Sequence, residues 1–176
     1  MTGEALVVWT VRVALGLLTV GFVGRRLRFE RLARGCWAAG AAAMGAHLAA
    51  AFAVEHDWSH AAAVRATTRR TKALTGIDWG GGVWINYLFA AVWAADAAWW
   101  LAAPRGHAAR PRWLDVGVGA FLGFIAVNGA IVFESGPTRW AGVACCAAIA
   151  AAGCVRPQSA AAEPGVTPAS DRSPPG

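Results

Sequence analysis

His56 and His60 stand four residues apart in the segment HDWSHAAAVRATTRRTKALTGIDWGGG. On one helix that spacing sets two imidazoles on the same face, close enough to grip one metal ion. Glu55, Asp57, Asp78 and Glu134 are the carboxylates available to complete such a ligand set. A divalent metal at His56 and His60 is thus the one cofactor these residues admit. The pattern is short, however, with no H-E-x-x-H and no second histidine pair beside it. The competing reading is a pair of interfacial histidines that hydrogen-bond their own loop. His47 points about 180° away from His56 on a straight helix, so the three cannot share one ion.

A second set lies within long apolar runs, where ionisable groups are expensive and mark functional sites by default. Arg12, His47 and Asn128 fall about 9–12 Å below one predicted membrane surface, and Asp96 roughly 20 Å below it, at the helical rise per residue. Asn86, Phe89, Trp93, Asp96 and Trp100 occupy an arc of about 80°, so one helix face joins an amide, a carboxylate and three rings. His47 shares its face with Gly40, Ala43 and Ala51, small residues that permit close helix approach. Turned inward together, these faces make a polar site in the outer half of a bundle, with Arg12 or His47 offsetting Asp96. One reading is an ion-pair network that fixes helix register; the other is a proton or ligand site.

Gly80, Gly81 and Gly82 precede a predicted helix, where free backbone N–H groups can cradle an anion or ligand. A tight re-entry of the chain is the simpler explanation, because no P-loop lysine or G-x-G-x-x-G accompanies them. Haem is disfavoured: His47 is the only histidine within an apolar run, and His107 falls in a connecting loop. Ser59 and Ser135 lack the surroundings of a hydrolase nucleophile. Cys36, Cys145, Cys146 and Cys154 form no C-x-x-C pair and read as small apolar side chains.

The elements that must position these residues follow from composition. The chain has 176 residues, 57% of them hydrophobic and only 15% charged, with 42 alanines, 21 glycines and 10 tryptophans. So few charges cannot cover a soluble domain, and the apolar content excludes a disordered chain. The net charge of +6 resides in short arginine clusters between apolar runs, which argues against nucleic acid as a partner. Spans are predicted at about 5–24, 36–55, 83–103, 115–134 and 138–155, each near the ~20 residues that cross a bilayer. The clusters at 25–34 and 105–112, with Arg156, then lie on one side, against Arg65, Arg69, Arg70, Lys72 and Arg139 on the other. The positive-inside rule puts the richer side in the cytoplasm, with the N-terminus outside and the C-terminus inside. Trp9, Trp58, Trp79, Trp84 and Trp140 mark the outer boundary, and Trp37, Trp99, Trp100 and Trp113 the inner one. Residues 59–75 predict an amphipathic external helix, with Asp57 or Ser59 capping its start and Gly76 its end. His56 and His60 share its bundle-facing side; Arg65, Arg69 and Lys72 face solvent or anionic headgroups. From Pro157 onward the composition predicts a disordered cytoplasmic tail, 157–176, after a transmembrane bundle of 1–156.

The run HDWSH, then WGGG, NYLF, and Trp93, Asp96, Trp99 and Trp100, resembles a pattern in small uncharacterised bacterial multi-span inner-membrane proteins, over residues 56–100. That resemblance implies an inner-membrane location and no activity. The tryptophan-rich sensory (translocator) proteins are similar in length and span number, but their tryptophan-proline motifs are missing here.

The expectation is an all-α polytopic transmembrane bundle of about five spans. Its leading function is non-enzymatic binding of a ligand, or of a partner such as another membrane subunit or a second copy. The alternative is a membrane-embedded metal-dependent enzyme or ion- or proton-handling protein using His56, His60 and Asp96.

Overall fold

The structure is a computed structural model, and it describes residues 3–132 and 136–154. The described residues form seven α-helices and no strand: α1 (Gly3–Arg26), α2 (Glu30–Glu55), α3 (His60–Thr75), α4 (Gly82–Ala102), α5 (Pro104–Ala108), α6 (Arg112–Val127) and α7 (Gly136–Cys154). A π-helical turn, Asn128–Val132, continues α6. Among the described residues, three segments are long and apolar enough to cross a membrane: α1, α2 and Arg112–Ile131. Helix α4, at 21 residues, is of comparable length and carries Asn86 and Asp96 among its apolar residues. Glu134, Ser135, Arg156 and the predicted tail at 157–176 lie outside the described residues.

The α1–α2 hairpin turns in three residues. Phe29 N–H donates to Gly24 C=O at 2.8 Å and Arg28 N–H to Arg25 C=O at 3.3 Å, with Arg28 at φ 65°. This pair of bonds is the Schellman termination, in which the left-handed position normally carries glycine. Arginine there pays for its Cβ. Arg28→Gly should therefore stabilise the chain by about 1 kcal/mol, read as a higher melting temperature in detergent. An unchanged or lower value would contradict the strain.

Small residues let the helices approach closely, and the rings fill what remains. A Cβ on Gly40 would lie 2.5 Å from Trp93 Cζ2 and 3.2 Å from Leu17 Cβ, so α1, α2 and α4 converge where only hydrogen fits. Gly21 likewise meets the Trp37 ring and Gly24 meets Ala33. Beyond this trio, α4 packs on α6, while α7 packs on α1 and the π turn. The core centres on Leu18, Trp37, Phe89, Trp93, Trp100 and Leu122. Trp37 makes edge contacts with Phe22, Trp93 and Trp100 at centroid distances of 5.1, 5.9 and 6.4 Å. Two of the nine rings expected to face headgroups are thus turned inward. Trp37 and Trp100 are core residues, whereas Trp9, Trp58, Trp79, Trp84, Trp99, Trp113 and Trp140 are exposed.

The segment between α2 and α4 also departs from one continuous helical face. Helix α3 starts at His60, its N-cap Ser59 accepting from Ala62 N–H at 3.2 Å and Gly76 ending it in the left-handed region. His56 instead caps the C-terminus of α2. Between them Asp57 and Trp58 both take positive φ, which redirects the chain and removes the i, i+4 relation.

Candidate functional site

Asp96 is the polar residue that the fold buries most purposefully. On α4 it shares a buried face with Phe89, Trp93 and Trp100, as the helical period requires. Its carboxylate is 5% exposed and both oxygens are occupied. Oδ2 accepts from Trp37 Nε1 at 2.8 Å, and Oδ1 accepts a short bond from Arg110 Nη1. A carboxylate in so dry a place needs a cation and further donors to repay its desolvation.

The cation comes from the connection between α4 and α6. Pro104 opens the one-turn helix α5, which folds the chain back under the bundle and buries His107 and Arg110. The Arg110 side chain is 2% exposed and bridges two carboxylates, Asp96 through Nη1 and Asp115 through Nε and Nη2. Asp115, in the first turn of α6, accepts in addition from Arg25 Nη2 at 2.5 Å, near the end of α1. The result is an alternating chain, Arg25–Asp115–Arg110–Asp96, whose two cations balance two anions. Arg25 also lies 5.2 Å from the Trp100 ring centroid, within cation–π range.

His107 completes the cluster. It stacks flat on Trp100, with centroids 4.9 Å apart and planes 5° from parallel, and its Nε2 lies 2.8 Å from Arg110 Nη1. A guanidinium can only donate, so Nε2 accepts and the ring proton belongs on Nδ1. The neutral ring therefore cannot donate to Asp96 at 3.3 Å. Burial first, and the positive charge of Arg110 second, hold the His107 pKa below its ordinary value, against the opposing pull of Asp96. The sign for stability follows by linkage. Below about pH 6.5 the unfolded histidine takes up a proton that the folded one refuses, so stability is full above that pH and falls as the medium is acidified. His107→Gln should flatten the loss of melting temperature between about pH 7.5 and pH 5.5. Equal slopes in both proteins would remove His107 from this role.

These partners correct the expected arrangement. Arg12 and His47 do not offset Asp96; Arg110, His107 and Trp37 surround it, at the opposite end of the bundle. Arg12 sits 5.3 Å from the Trp9 ring centroid. His47 Nδ1 lies 3.0 Å from Val7 C=O and 3.4 Å from Thr10 Oγ1, tying α2 to α1. Asn86 is exposed, and Asn128 donates to Phe124 C=O at 2.8 Å within its own helix. Of the five residues expected within apolar runs, the described contacts of Asp96 include none of the other four.

In the α3 region the two histidines have separate partners. His60 Nδ1 lies 3.0 Å from Tyr87 Oη, and its ring packs against Trp84 at 5.0 Å. The His56 ring packs edge-on against Phe52 at 5.7 Å. Among the described residues, no group of three or more His, Cys, Asp or Glu side chains is placed to hold a metal ion. Asp78 pairs with Lys72 at 2.8 Å, which raises the lysine pKa. The glycine run has a packing explanation. A Cβ on Gly80 would lie 2.5 Å from Thr68 Oγ1 and 2.8 Å from Val64 Cγ1, and one on Gly81 2.3 Å from the Trp79 ring. Gly82 is the first residue of α4.

Beside the ion chain opens a cleft of about 240 Å³ lined by Arg25, His107, Ala108, Arg110, Arg112 and Asp115. Among the described residues no carboxylate pairs with Arg112. The first turn of α6 starts here with Pro111 as N-cap and no side-chain cap. Its first intrahelical donors are Leu114 and Asp115, which leaves the N–H groups of Arg112 and Trp113 directed away from the helix. Arg112, the helix dipole and these N–H groups all favour an anion in the cleft. Sequence reasoning missed Arg110 and His107 because a short polar connection reads as solvated, and Asp115 because it stands at the end of a predicted span. The available signal was that Asp96 required a cation, with Arg110 fourteen residues away in the following connection. No family model, curated protein or solved structure matches the chain.

Proposed function

We propose that the chain is a multi-pass protein of a bacterial inner membrane that works by binding, and that it binds an anionic ligand in the cleft beside Arg110. On this reading about five segments cross the bilayer: α1, α2, α4, α6 with its π turn, and α7. The N-terminus is outside, α3 lies on the outer surface, and the α5 end faces the cytoplasm. Support for the orientation comes from the arginines at 25–34 and 105–112, which favour the cytoplasmic side.

The observation that carries the binding reading is the ion chain Arg25–Asp115–Arg110–Asp96 opening onto a cleft whose remaining cation, Arg112, has no carboxylate partner among the described residues. The four charges of the chain cancel, so Arg112 leaves the cleft with a surplus of one positive charge. Arg25 and Arg110 are held in place by their carboxylates, and the exposed Arg112 is the cation left for a ligand. This moves the binding site from the outer half of the bundle, where the sequence put it, to the cytoplasmic end. The test is thermal stabilisation of the full chain in an uncharged detergent by inorganic phosphate, citrate and phosphatidylglycerol. At least one should raise the melting temperature, and Arg112→Gln should abolish the rise. No response to any of the three, or a response that survives Arg112→Gln, would refute the proposal.

A further inference from the structure

The turn between α1 and α2 goes against local preference at two consecutive positions. Arg28 takes the left-handed φ of 65° that glycine normally fills. Phe29, the next residue, is the N-cap of α2 and makes no side-chain bond to the helix, where serine, threonine, aspartate or asparagine is favoured. Conflicts of this kind persist where the side chains themselves have a task. Here those side chains point outward. Leu27, Phe29 and Leu32 are 40%, 59% and 55% exposed, and Arg28 and Arg31 are exposed between them. Among the described residues no carboxylate pairs with Arg28, Arg31 or Arg34. Glu30 is the one acidic residue in the segment 25–35, so the turn is strongly cationic.

We propose that this turn is a docking surface for the anionic phospholipid headgroups of the bilayer that α1 and α2 cross. The spanning of α1 and α2 is the premise; the anion cleft is not. Helix length sets the depth. With 24 and 26 residues, α1 and α2 run about 36 and 39 Å, longer than the ~30 Å hydrocarbon core, which brings their shared end to headgroup level. Charge complementarity then selects the occupant. Arg28 and Arg31 meet the phosphates, with Arg34 at their edge, while Leu27, Phe29 and Leu32 reach the apolar layer just beneath. A bilayer surface offers a continuous negative potential with apolar material below it, and interleaved arginines and apolar side chains match both levels. An acidic protein would engage the arginines but leave the three apolar side chains without a counterpart.

The test places the full-length chain in nanodiscs of phosphatidylcholine, alone or with phosphatidylglycerol. Hydrogen exchange is followed over residues 25–34, where the Leu27, Arg28 and Phe29 amides are hydrogen-bonded and report local opening. Phosphatidylglycerol should slow this exchange roughly fivefold for each arginine near the surface. The triple variant Arg28→Gln/Arg31→Gln/Arg34→Gln should exchange alike in both bilayers. Arg28→Gly, relieved of its left-handed strain, should exchange more slowly than wild type in phosphatidylcholine yet lose roughly fivefold of the phosphatidylglycerol effect. Arg28→Lys should keep that effect. Arg112→Gln, in the cleft, and Arg65→Gln/Arg69→Gln, on α3, should leave it unchanged. Equal exchange of the wild type in the two bilayers would overturn the lipid surface, with an acidic protein then the occupant to seek. A slowing that survives the triple variant, or that falls as far in Arg65→Gln/Arg69→Gln, would overturn it as well. Release of the chain from membranes by carbonate would overturn the spanning of α1 and α2 and this docking surface together.

Discussion

Asp96→Ala should destabilise the chain by about 3–5 kcal/mol, the cost of leaving a buried charge without its partner. Arg110 has a side chain 2% exposed and would lose one of its two carboxylates, and Trp37 Nε1–H would lose its acceptor. Asp115 cannot compensate alone, because it already serves Arg25. Asp96→Asn should fall between the alanine variant and the wild type, since the amide oxygen still accepts from Trp37 but carries no charge. The double variant Asp96→Leu/Arg110→Leu separates a damaged ion pair from a damaged helix. Replacing both members of a buried pair by apolar residues is often neutral or stabilising, so the double variant should recover most of the loss. Thermal or denaturant unfolding in detergent measures all of them. A double variant as unstable as Asp96→Ala would show that the loss arises from packing around α4 and not from the unpaired arginine.

Trp37→Ala should be of similar size, about 3–5 kcal/mol, because truncating a buried tryptophan leaves a cavity that its surroundings only partly fill. Trp37 is 0% exposed and touches Phe22, Trp93 and Trp100, so three helices line the vacated space. Trp37→Phe distinguishes the ring from its N–H. It keeps most of the volume but leaves Asp96 Oδ2 without a donor, an expected loss of about 1–3 kcal/mol. Intrinsic fluorescence and melting temperature follow both variants. A Trp37→Ala protein as stable as the wild type would be incompatible with a core built on this residue. If Trp37→Phe matched the wild type, the hydrogen bond to Asp96 would carry no weight.

These expectations show which contacts can be read along one element and which cannot. Periodicity within α4 was enough to put Phe89, Trp93, Asp96 and Trp100 on one face, because helical geometry alone decides what adjoins a residue on its own helix. Ser59 and Gly76 as the ends of α3 are equally local, since a cap involves only the adjoining turn. Trp37 and Trp100 were read as rings facing a membrane boundary, and the fold packs both into the core. A tryptophan near the end of an apolar run looks the same in sequence whether its ring meets a headgroup or another helix. His56 and His60 were placed on one face because spacing assumes a continuous helix, and the positive φ of Asp57 and Trp58 breaks it.

By itself, the sequence determined an all-helical chain, too apolar and too poor in charge to cover a soluble domain, with one carboxylate on an aromatic face. Those properties are sums and periods along the chain and need no knowledge of what packs where. Only the tertiary structure decided that Asp96 is answered by Arg110 and Trp37, with His107 packed beside them, and that the charged centre belongs to the α5 end. Arg110 reaches Asp96 because Pro104 and α5 turn the connection back beneath α4, and Trp37 reaches it because Gly40 lets α2 approach α4 closely. Pairings across a fold depend on where several helices converge, and residue spacing within one of them carries no record of that.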